Sequence, residues 1–230
     1  MPTALNLLKQ LDKNGLESAL DFIYDKVSKR FRGKSSGRFL SQNQSLSLLD
    51  GSIQKNRDKL QNLAIGLTSG KIDLVRFVVD SSQAIKDLHI LNATKALSGR
   101  ADNISTQQLK ILSDRVKEQL TGKKDPLTGD RFGFKYLIRD LARGQLSEAQ
   151  LTQRLNLYAN SAELTQNHII KEQKVENGYK EAFRQLASAD RACKECVKHS
   201  SLGWISLEDL VMPGEQCSCR ANCRCTLIYR

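Results

Sequence analysis

The stretch that decides the fold of this chain lies at residues 192–230 and reads ACKECVKHSSLGWISLEDLVMPGEQCSCRANCRCTLIYR. It contains all six cysteines of the chain, which are Cys193, Cys196, Cys217, Cys219, Cys223 and Cys225. A Cys-x-x-Cys turn places two thiolates on one side of a cation, and a second cysteine cluster about twenty residues later can supply two more to a tetrahedral Zn²⁺. The spacing therefore predicts one structural zinc ion per chain.

The predicted zinc ligands are Cys193, Cys196, Cys219 and Cys223. The three-residue gap between Cys219 and Cys223 allows a turn to wrap around the ion. Cys217 and Cys225 each lie two residues from a chosen ligand, and residues two apart share a face in extended backbone, so either one can replace it. His199 is a further candidate, although a lone histidine is more often a surface or capping residue.

Disulfides, free thiols and a redox pair are the alternatives to a metal. The first twenty residues carry charges throughout and lack an apolar run followed by a cleavage site, so nothing in them indicates export to an oxidising compartment. A redox Cys-x-x-Cys is typical of a strand-to-helix turn in a βαβ unit, and no such pattern surrounds Cys193. A segment this short also needs a metal, a disulfide or a partner to become ordered. Binding of a structural zinc supplies folding free energy on the order of 10–16 kcal/mol.

The order of motifs in this segment resembles a known family. Cys-x-x-Cys is followed by Trp204, by Leu-Glu-Asp-Leu at 207–210, by Pro213-Gly214 and by Asn-Cys-Arg-Cys-Thr-Leu at 222–227. This order is similar to the C-terminal signature of the phage Mu protein F-like family, the minor head or head morphogenesis proteins of tailed bacteriophages and prophages. Many members carry His-Pro ahead of Asn-Cys-Arg-Cys, where this chain has Arg220-Ala221, and Cys219 looks like the substitute for that histidine. Weaker likeness extends through residues 144–186.

The resemblance implies a minor structural protein of a tailed-phage virion, assembled in the host cytoplasm. Such a protein is associated with the portal or the inner head and acts in head assembly or in DNA packaging and delivery. Its expected partners are the portal or other capsid and neck proteins, and packaged double-stranded DNA. It is expected in multiple copies. The alternative from another class is a basic, zinc-containing, DNA-binding regulator, for which basic side chains on a recognition helix beside the zinc are expected.

Charge and composition set limits on the rest of the chain. The 230 residues are 40% hydrophobic and carry a net charge of +11. The longest apolar runs fall far below the roughly 18 residues of a membrane span. The surplus of cations favours a polyanion partner over the alternative, in which the extra lysines only keep the protein soluble. The predicted contact with DNA is a cluster without acids in a Gly/Ser-containing stretch, formed by Lys29, Arg30, Arg32, Lys34 and Arg38.

The remaining sequence predicts a mainly α-helical protein in three parts. An N-terminal helical arm occupies 1–33, with a first helix at about 16–31, and 33–38 reads as a flexible connector. A helical domain occupies 34–191, with an exposed loop at 123–133, and a cysteine-rich zinc-binding module with a short β-hairpin occupies 192–230. Strand structure is expected only in the last forty residues, as two antiparallel strands near 204–205 and at 225–229. Within the helical domain we expect a helix after 50–52, another from Asp73, and two opened by capping boxes at Ser105 and Ser147. The last one keeps an apolar face to residue 186, with a kink or an interruption at 177–178, and leads into the zinc module.

Catalysis has little support in the sequence. The three histidines do not lie near a serine or cysteine with a plausible third partner, and His89 falls beside an apolar helical stripe, as a packed core histidine does. A zinc ion held by four thiolates has no open position for water. The interpretation is therefore a structural metal in a protein that is not an enzyme.

Overall fold

The computed structural model describes residues 11–124, 129, 131–188 and 190–230, and the described part is mainly helical, as predicted. The helices are α1 (Lys13–Ser18), α2 (Gln42–Thr68), α3 (Leu74–Ala96), α4 (Thr106–Thr121), α5 (Phe134–Ala142), α6 (Glu148–Glu176) and α7 (Lys194–Ser201). The strands are β1 (Phe22–Asp25), β2 (Arg30–Gly33), β3 (Phe39–Leu40), β4 (Lys123–Lys124), β5 (Arg131–Phe132), β6 (Glu181–Gln185), β7 (Trp204–Ser206) and β8 (Thr226–Tyr229). Short 3-10 turns lie at Ala101–Asn103 and Arg220–Asn222.

The helix predicted over residues 16–31 is wrong for most of its length. Only α1 is helical there, and β1, β2 and β3 follow as an antiparallel sheet in that order. The carboxylate of Asp25 accepts hydrogen bonds from the backbone N–H groups of Val27 and Ser28, at 2.9 and 3.2 Å, and Lys29 adopts a positive φ of 54°. Val27, a member of the predicted apolar stripe, is 95% exposed. Turn chemistry centred on the aspartate therefore overrides an apolar spacing that fits a helix.

The predicted flexible connector is an ordered turn between β2 and β3. The N–H of Gly37 donates to the carbonyl of Gly33 at 2.8 Å, and the N–H of Gly33 donates to the carbonyl of Arg38 at 3.0 Å. Phe22 and Phe31 of this sheet are buried in the same apolar cluster as the long helices. Strand structure is thus not confined to the last forty residues, and residues 11–33 do not form a helical arm. Residues 1–10 of the predicted arm lie outside the described residues, and the boundary near residue 33 stays a prediction.

Helices α2, α3 and α6 pack on one another around the main core, and α4 and α5 complete it. The starts predicted from capping residues are confirmed: Asp73 caps α3, and capping boxes at Ser105 and Ser147 open α4 and α6. Helix α2 begins earlier than predicted, because a further capping box at Ser41 satisfies its first N–H groups and Gly51 is accommodated within the helix. None of the helices in the described ranges has the length and hydropathy needed to span a bilayer.

His89 is a core residue of α3, as expected. Its side chain is 1% exposed, its Nδ1 lies 2.7 Å from Oγ1 of Thr165, and its Nε2 contacts Oε1 of Gln119. Burial lowers the pKa of His89 to about 4, and the charge of Arg115 acts in the same direction. The imidazole is therefore neutral at pH 7 and joins three helices through polar contacts in an otherwise apolar interior.

Of the two alternatives predicted at 177–178, the structure has the interruption, but the helix predicted to follow it up to residue 186 is wrong, because those residues form a strand. Helix α6 ends at Glu176, where the N–H of Tyr179 donates to the carbonyl of Lys174 and the N–H of Gly178, at φ 83°, donates to the carbonyl of Val175. These two bonds form a Schellman motif, which stops a helix rather than kinking it. The chain then enters β6 before it reaches the cysteines.

The module's sheet has the order β7-β6-β8, with both outer strands antiparallel to β6. The two strands predicted near Trp204 and Tyr229 are present, but they do not form a hairpin with each other. Each pairs with β6, which the apolar periodicity had assigned to a helix. The small core beneath the sheet is formed by Ala182, Leu207, Leu210 and Met212.

The 123–133 region was predicted to be an exposed loop. Its ends pair as the two-residue strands β4 and β5, and residues 125–128 and 130 lie outside the described residues.

Candidate metal centre

The start of α7 positions the first cysteine pair. Cys193 is the N-cap residue in extended backbone, and its Sγ accepts the N–H of Cys196 at 3.4 Å. Burial alone would raise the pKa of the Cys193 thiol, but hydrogen bonds from the backbone N–H groups of Cys196 and Cys219 outweigh it and lower the pKa. The helix start therefore favours a thiolate, the form that binds a metal.

The second cysteine group surrounds a short 3-10 turn at Arg220–Asn222, with Cys217 and Cys219 before it and Cys223 and Cys225 after it. Glu195 on α7 ties the two groups together, because its Oε2 accepts hydrogen bonds from the N–H and Oγ of Ser218 at 3.2 and 2.9 Å. Hydrogen bonds from its own N–H, from the Cys193 thiol and from Ser218 lower the pKa of Glu195 to about 2. The carboxylate thus holds the second cysteine loop against the start of α7.

The fold brings all six sulfur atoms into one cluster around Cys196. The Sγ–Sγ distances are 3.6 Å for Cys193–Cys219, 3.5 Å for Cys196–Cys219, 3.6 Å for Cys196–Cys223 and 3.2 Å for Cys217–Cys219. Two thiolates on one tetrahedral zinc lie about 3.8 Å apart, given a Zn–S bond of about 2.3 Å. The Sγ–Sγ distances in the cluster are therefore close to the sulfur–sulfur distance expected in a tetrathiolate zinc site.

Three of the four predicted ligands fall in one group. The sulfurs of Cys193, Cys196, Cys217 and Cys219 all lie within 4.8 Å of one another, and so do those of Cys196, Cys223 and Cys225. Cys223, the fourth predicted ligand, thus contacts Cys196 but belongs to the second group. No histidine joins either group among the described residues, and all six cysteines are free thiols.

Unaided, this cluster holds few negative charges. Hydrogen bonds, first that from the Cys217 thiol, lower the pKa of Cys223 to about 4. Burial raises the pKa of Cys196 to about 12, and the hydrogen bond to Cys223, followed by burial, raises the pKa of Cys217. One thiolate therefore suppresses the ionisation of its neighbours, and a cation is needed to make four of them thiolates.

A buried arginine beside the cluster fits a metal-bound, anionic site. Arg184 on β6 is 2% exposed, and its Nε and Nη1 have no hydrogen-bond partner among the described residues. Its Nη2 donates to the carbonyl of Val211, and its charge acts on the thiol of Cys225. A buried guanidinium without a counter-ion is costly, whereas a tetrathiolate zinc carries a net charge of about −2. The donor set also suits a soft or borderline metal such as Zn²⁺.

Polar contacts attach the module to the helical bundle. Nδ2 of Asn160 on α6 donates to Oδ1 of Asn222 at 2.9 Å. Oε1 of Glu215 lies 3.0 Å from Nε2 of His168 and 3.3 Å from Nη1 of Arg115. Burial would raise the pKa of Glu215, but the close contact with His168 and the charges of Arg115 and Lys123 lower it to about 2. Sequence reasoning missed this contact, because no local pattern links residues about 50 to 100 positions apart.

The five predicted DNA-contacting cations lie on β2 and the turns that flank it. The guanidinium groups of Arg30 and Arg32 each lie 4.7 Å from the ring centroid of Phe39, and Nζ of Lys34 donates to the carbonyl of Glu17 at 2.6 Å. Four of the five residues are exposed and Arg32 is half-buried; the exposed ones are Lys29, Arg30, Lys34 and Arg38. The stretch thus presents its positive charge from a sheet.

Comparison with protein-family models, with curated proteins and with solved structures gives no match for this chain.

Proposed function

We propose that this chain is a minor structural protein of a tailed-phage virion, associated with the portal or the inner head, where it acts in head assembly or DNA packaging and delivery. The observation that carries the proposal is the ordered set of signature residues at 193–227. In this proposal the cysteine module binds structural Zn²⁺, and the chain is not an enzyme. Its partners are the portal or other capsid and neck proteins, and packaged double-stranded DNA.

Several residues of the signature contact one another or the helical bundle within one module, which supports treating the motifs as one structural unit. Leu207 and Leu210 of the Leu-Glu-Asp-Leu run are buried in the module's core. The ring of Trp204 packs 5.9 Å from that of Phe183 on β6. Asn222 of Asn-Cys-Arg-Cys bonds to α6. In this proposal, the signature residues serve metal binding, the core of the module and docking to the helical bundle.

A structural role suits the site, because a metal ion held by four thiolates would have no open position for a reacting water. The regulator alternative is less well supported by the geometry. Helix α7, which lies beside the cysteines, has Lys194 and Lys198 but also Glu195, whose carboxylate bonds to Ser218. A basic recognition helix is therefore not presented next to the metal site.

Mass spectrometry of purified, DNase-treated, DNA-filled particles tests the proposal. We expect peptides of this chain in particles purified on a density gradient. Their amount relative to the major capsid protein, the internal reference, should correspond to several copies of the chain per particle. Empty particles from the same preparation show whether retention depends on packaged DNA. Absence of the chain from filled particles, together with its recovery on host or phage DNA, would overturn the head-protein proposal and favour the regulator.

A further inference from the structure

We infer that the zinc ion is bound by the larger of the two sulfur groups, whose members are Cys193, Cys196, Cys217 and Cys219. Cys217 thus takes the ligand position that the sequence spacing assigned to Cys223. The inference deepens the proposed function, since it rests on the part of that proposal in which the cysteine module binds structural Zn²⁺. It does not depend on the role of the chain in a virion.

The number and the spacing of the sulfur atoms favour this group. All of its four sulfur atoms lie within 4.8 Å of one another, as the ligands of one tetrahedral ion must. Cys223 is grouped with Cys196 and Cys225 instead, and that group has three members, one fewer than a closed tetrahedral site requires. Among the described residues, the larger group is therefore the one that supplies a complete ligand set.

A hydrogen-bonded clamp holds the two halves of this ligand set together. Glu195 lies between the two cysteines at the start of α7, and Ser218 lies between the two cysteines of the 217–219 segment. Oε2 of Glu195 accepts hydrogen bonds from the N–H and the Oγ of Ser218, at 3.2 and 2.9 Å. The clamp thus joins the centres of two segments that each contribute two sulfur atoms, and it positions Cys217 and Cys219 together.

The burial of Cys217 has no explanation in apolar packing. Cys217 and Cys196 are 0% and 1% exposed, yet neither belongs to the main apolar core or to the small core of the module. The nearest recorded neighbour of the Cys217 sulfur is the sulfur of Cys219, at 3.2 Å. Burial among other sulfur atoms is the environment of a ligand to a structural ion that is closed to water.

Cys223 and Cys225 then lie beside the metal site as free thiols. A 3-10 turn at Arg220–Asn222 separates them from Cys219, and Cys225 directly precedes β8. The sulfur of Cys223 lies 3.6 Å from that of Cys196, a distance at which its S–H can donate a weak hydrogen bond to a metal-bound thiolate. Such a contact supports the ligand from outside the ligand set, so it needs no bond between Cys223 and the ion.

Thiol labelling of the full-length, zinc-loaded protein tests the ligand set. A thiolate that is bound to zinc reacts slowly with iodoacetamide, whereas a free thiol is labelled through its thiolate form. Trypsin separates the relevant cysteines, because cleavage after Arg220 and Arg224 places Cys217 and Cys219 on one peptide, Cys223 on the next and Cys225 on the last. A sample treated with a strong chelator is the control, in which all six cysteines should be labelled.

We expect the peptides of Cys223 and Cys225 to be labelled while one equivalent of zinc stays bound, and the 217–219 peptide to remain unlabelled. Cys219 and Cys223 are both half-buried, so burial alone does not predict a difference between them. Protection of Cys223 together with labelling on the 217–219 peptide would overturn the inference and leave the zinc proposal intact. If the chain binds no zinc, the inference and the metal part of the proposed function both fail, whereas the virion experiment is unaffected.

Two serine variants give a second, independent readout. We expect Cys223→Ser to retain one equivalent of zinc and Cys217→Ser to lose it during gel filtration, because only the second change removes a ligand. Circular dichroism reports whether the helical bundle of each variant is intact. If Cys217→Ser does not fold, the labelling pattern of the wild-type protein decides. Loss of zinc from Cys223→Ser, with retention in Cys217→Ser, would show that the ligand set predicted from the spacing is the right one.

Discussion

At the scale of single residues, Arg184 shows how the metal site and the fold depend on each other. β6 places its guanidinium inside the module, where only one of its nitrogens has a protein hydrogen bond among the described residues. In the proposed metal-bound state, the thiolates of the cluster would balance this charge. Groups that support a metal site from outside the ligand set typically contribute 10- to 100-fold in metal affinity.

We expect Arg184→Met to weaken zinc binding by about 10- to 100-fold, because the anionic cluster loses its buried counter-charge. Competition with a zinc-binding dye measures the change. Arg184→Lys keeps the charge but not the planar group, so its affinity should lie between those of wild type and Arg184→Met. Equal zinc affinity in all three proteins would show that the guanidinium only fills space.

His89 makes the stability of the helical bundle dependent on pH. Its pKa is about 4 in the folded chain, against an ordinary value of 6.5. The unfolded chain therefore binds a proton at His89 more readily than the folded chain does. The contribution of neutral His89 to the stability of the folded chain is complete above pH 6.5 and is lost as the pH falls towards 4. The loss is on the order of 3 kcal/mol, at about 1.4 kcal/mol per pKa unit.

The check is the free energy of unfolding, measured by urea denaturation between pH 7 and pH 4. We expect wild type to lose more stability over this range than His89→Gln, even if the variant is less stable at pH 7. All carboxylates are shared by the two proteins, so the difference in slope isolates the histidine. If the free energy of unfolding falls equally with pH in the two proteins, His89 does not titrate between pH 7 and pH 4.

At the scale of elements, most helix ends follow from local chemistry. Gly70, Gly144 and Gly178 end α2, α5 and α6 with the same pair of hydrogen bonds, in which the glycine donates three residues back and the next residue donates five residues back. All three have positive φ, at 71°, 65° and 83°. Such endings are recognisable from sequence, because glycine adopts this conformation without strain.

The turn at Gly214 joins the cysteine module to α6, and it leaves no room for a side chain. A Cβ on Gly214 would lie 2.8 Å from the carbonyl oxygen of Arg220 and 2.8 Å from Cδ2 of Leu164. Gly203 provides a matched control in the same module, since its φ of 72° is similar to the 89° of Gly214 but its Cβ would meet nothing within 4 Å.

We expect Gly203→Ala to cost about 1–2 kcal/mol from the left-handed backbone alone. Gly214→Ala should cost about 1–3 kcal/mol more, because α6 and the turn must move apart. Thermal unfolding of the zinc-loaded protein measures the difference, and limited proteolysis near residue 178 reports whether the module has separated from α6. If the two variants are equally stable, the close approach at Gly214 does not contribute to docking.

At the scale of the whole molecule, the basic stretch lies in a sheet towards one end of the chain, and the candidate metal site lies in a module at the other. The basic stretch is tied to the main core through Phe31, and Arg30 and Arg32 lie over Phe39. An ordered cationic surface can neutralise several phosphates at once, and each phosphate contacted contributes about −0.9 to the slope of log affinity against log salt on duplex DNA.

A salt titration of DNA binding tests this surface. We expect a variant with Lys29, Arg30, Arg32, Lys34 and Arg38 changed to glutamine to bind more weakly and with a shallower slope than wild type. The control changes five exposed lysines elsewhere and so removes the same charge; these are Lys55, Lys71, Lys110, Lys117 and Lys135. Equal slopes in the two variants would assign the effect to net charge alone.

By itself, the sequence determined the helical class, the starts of α3, α4 and α6, and the concentration of metal-binding chemistry after residue 192. Caps, glycine endings and cysteine spacing act within a few residues, so they can be read along the chain. The tertiary structure decided that 22–40 is a sheet, that β6 lies at the centre of the module, and which sulfur atoms are neighbours. Apolar residues near 16–31 and 179–186 fit a helical period, but strand pairing with distant segments determines their conformation. For the same reason, the placement of Arg184 beside the cysteines and of Glu215 beside His168 became visible only when the chain was folded.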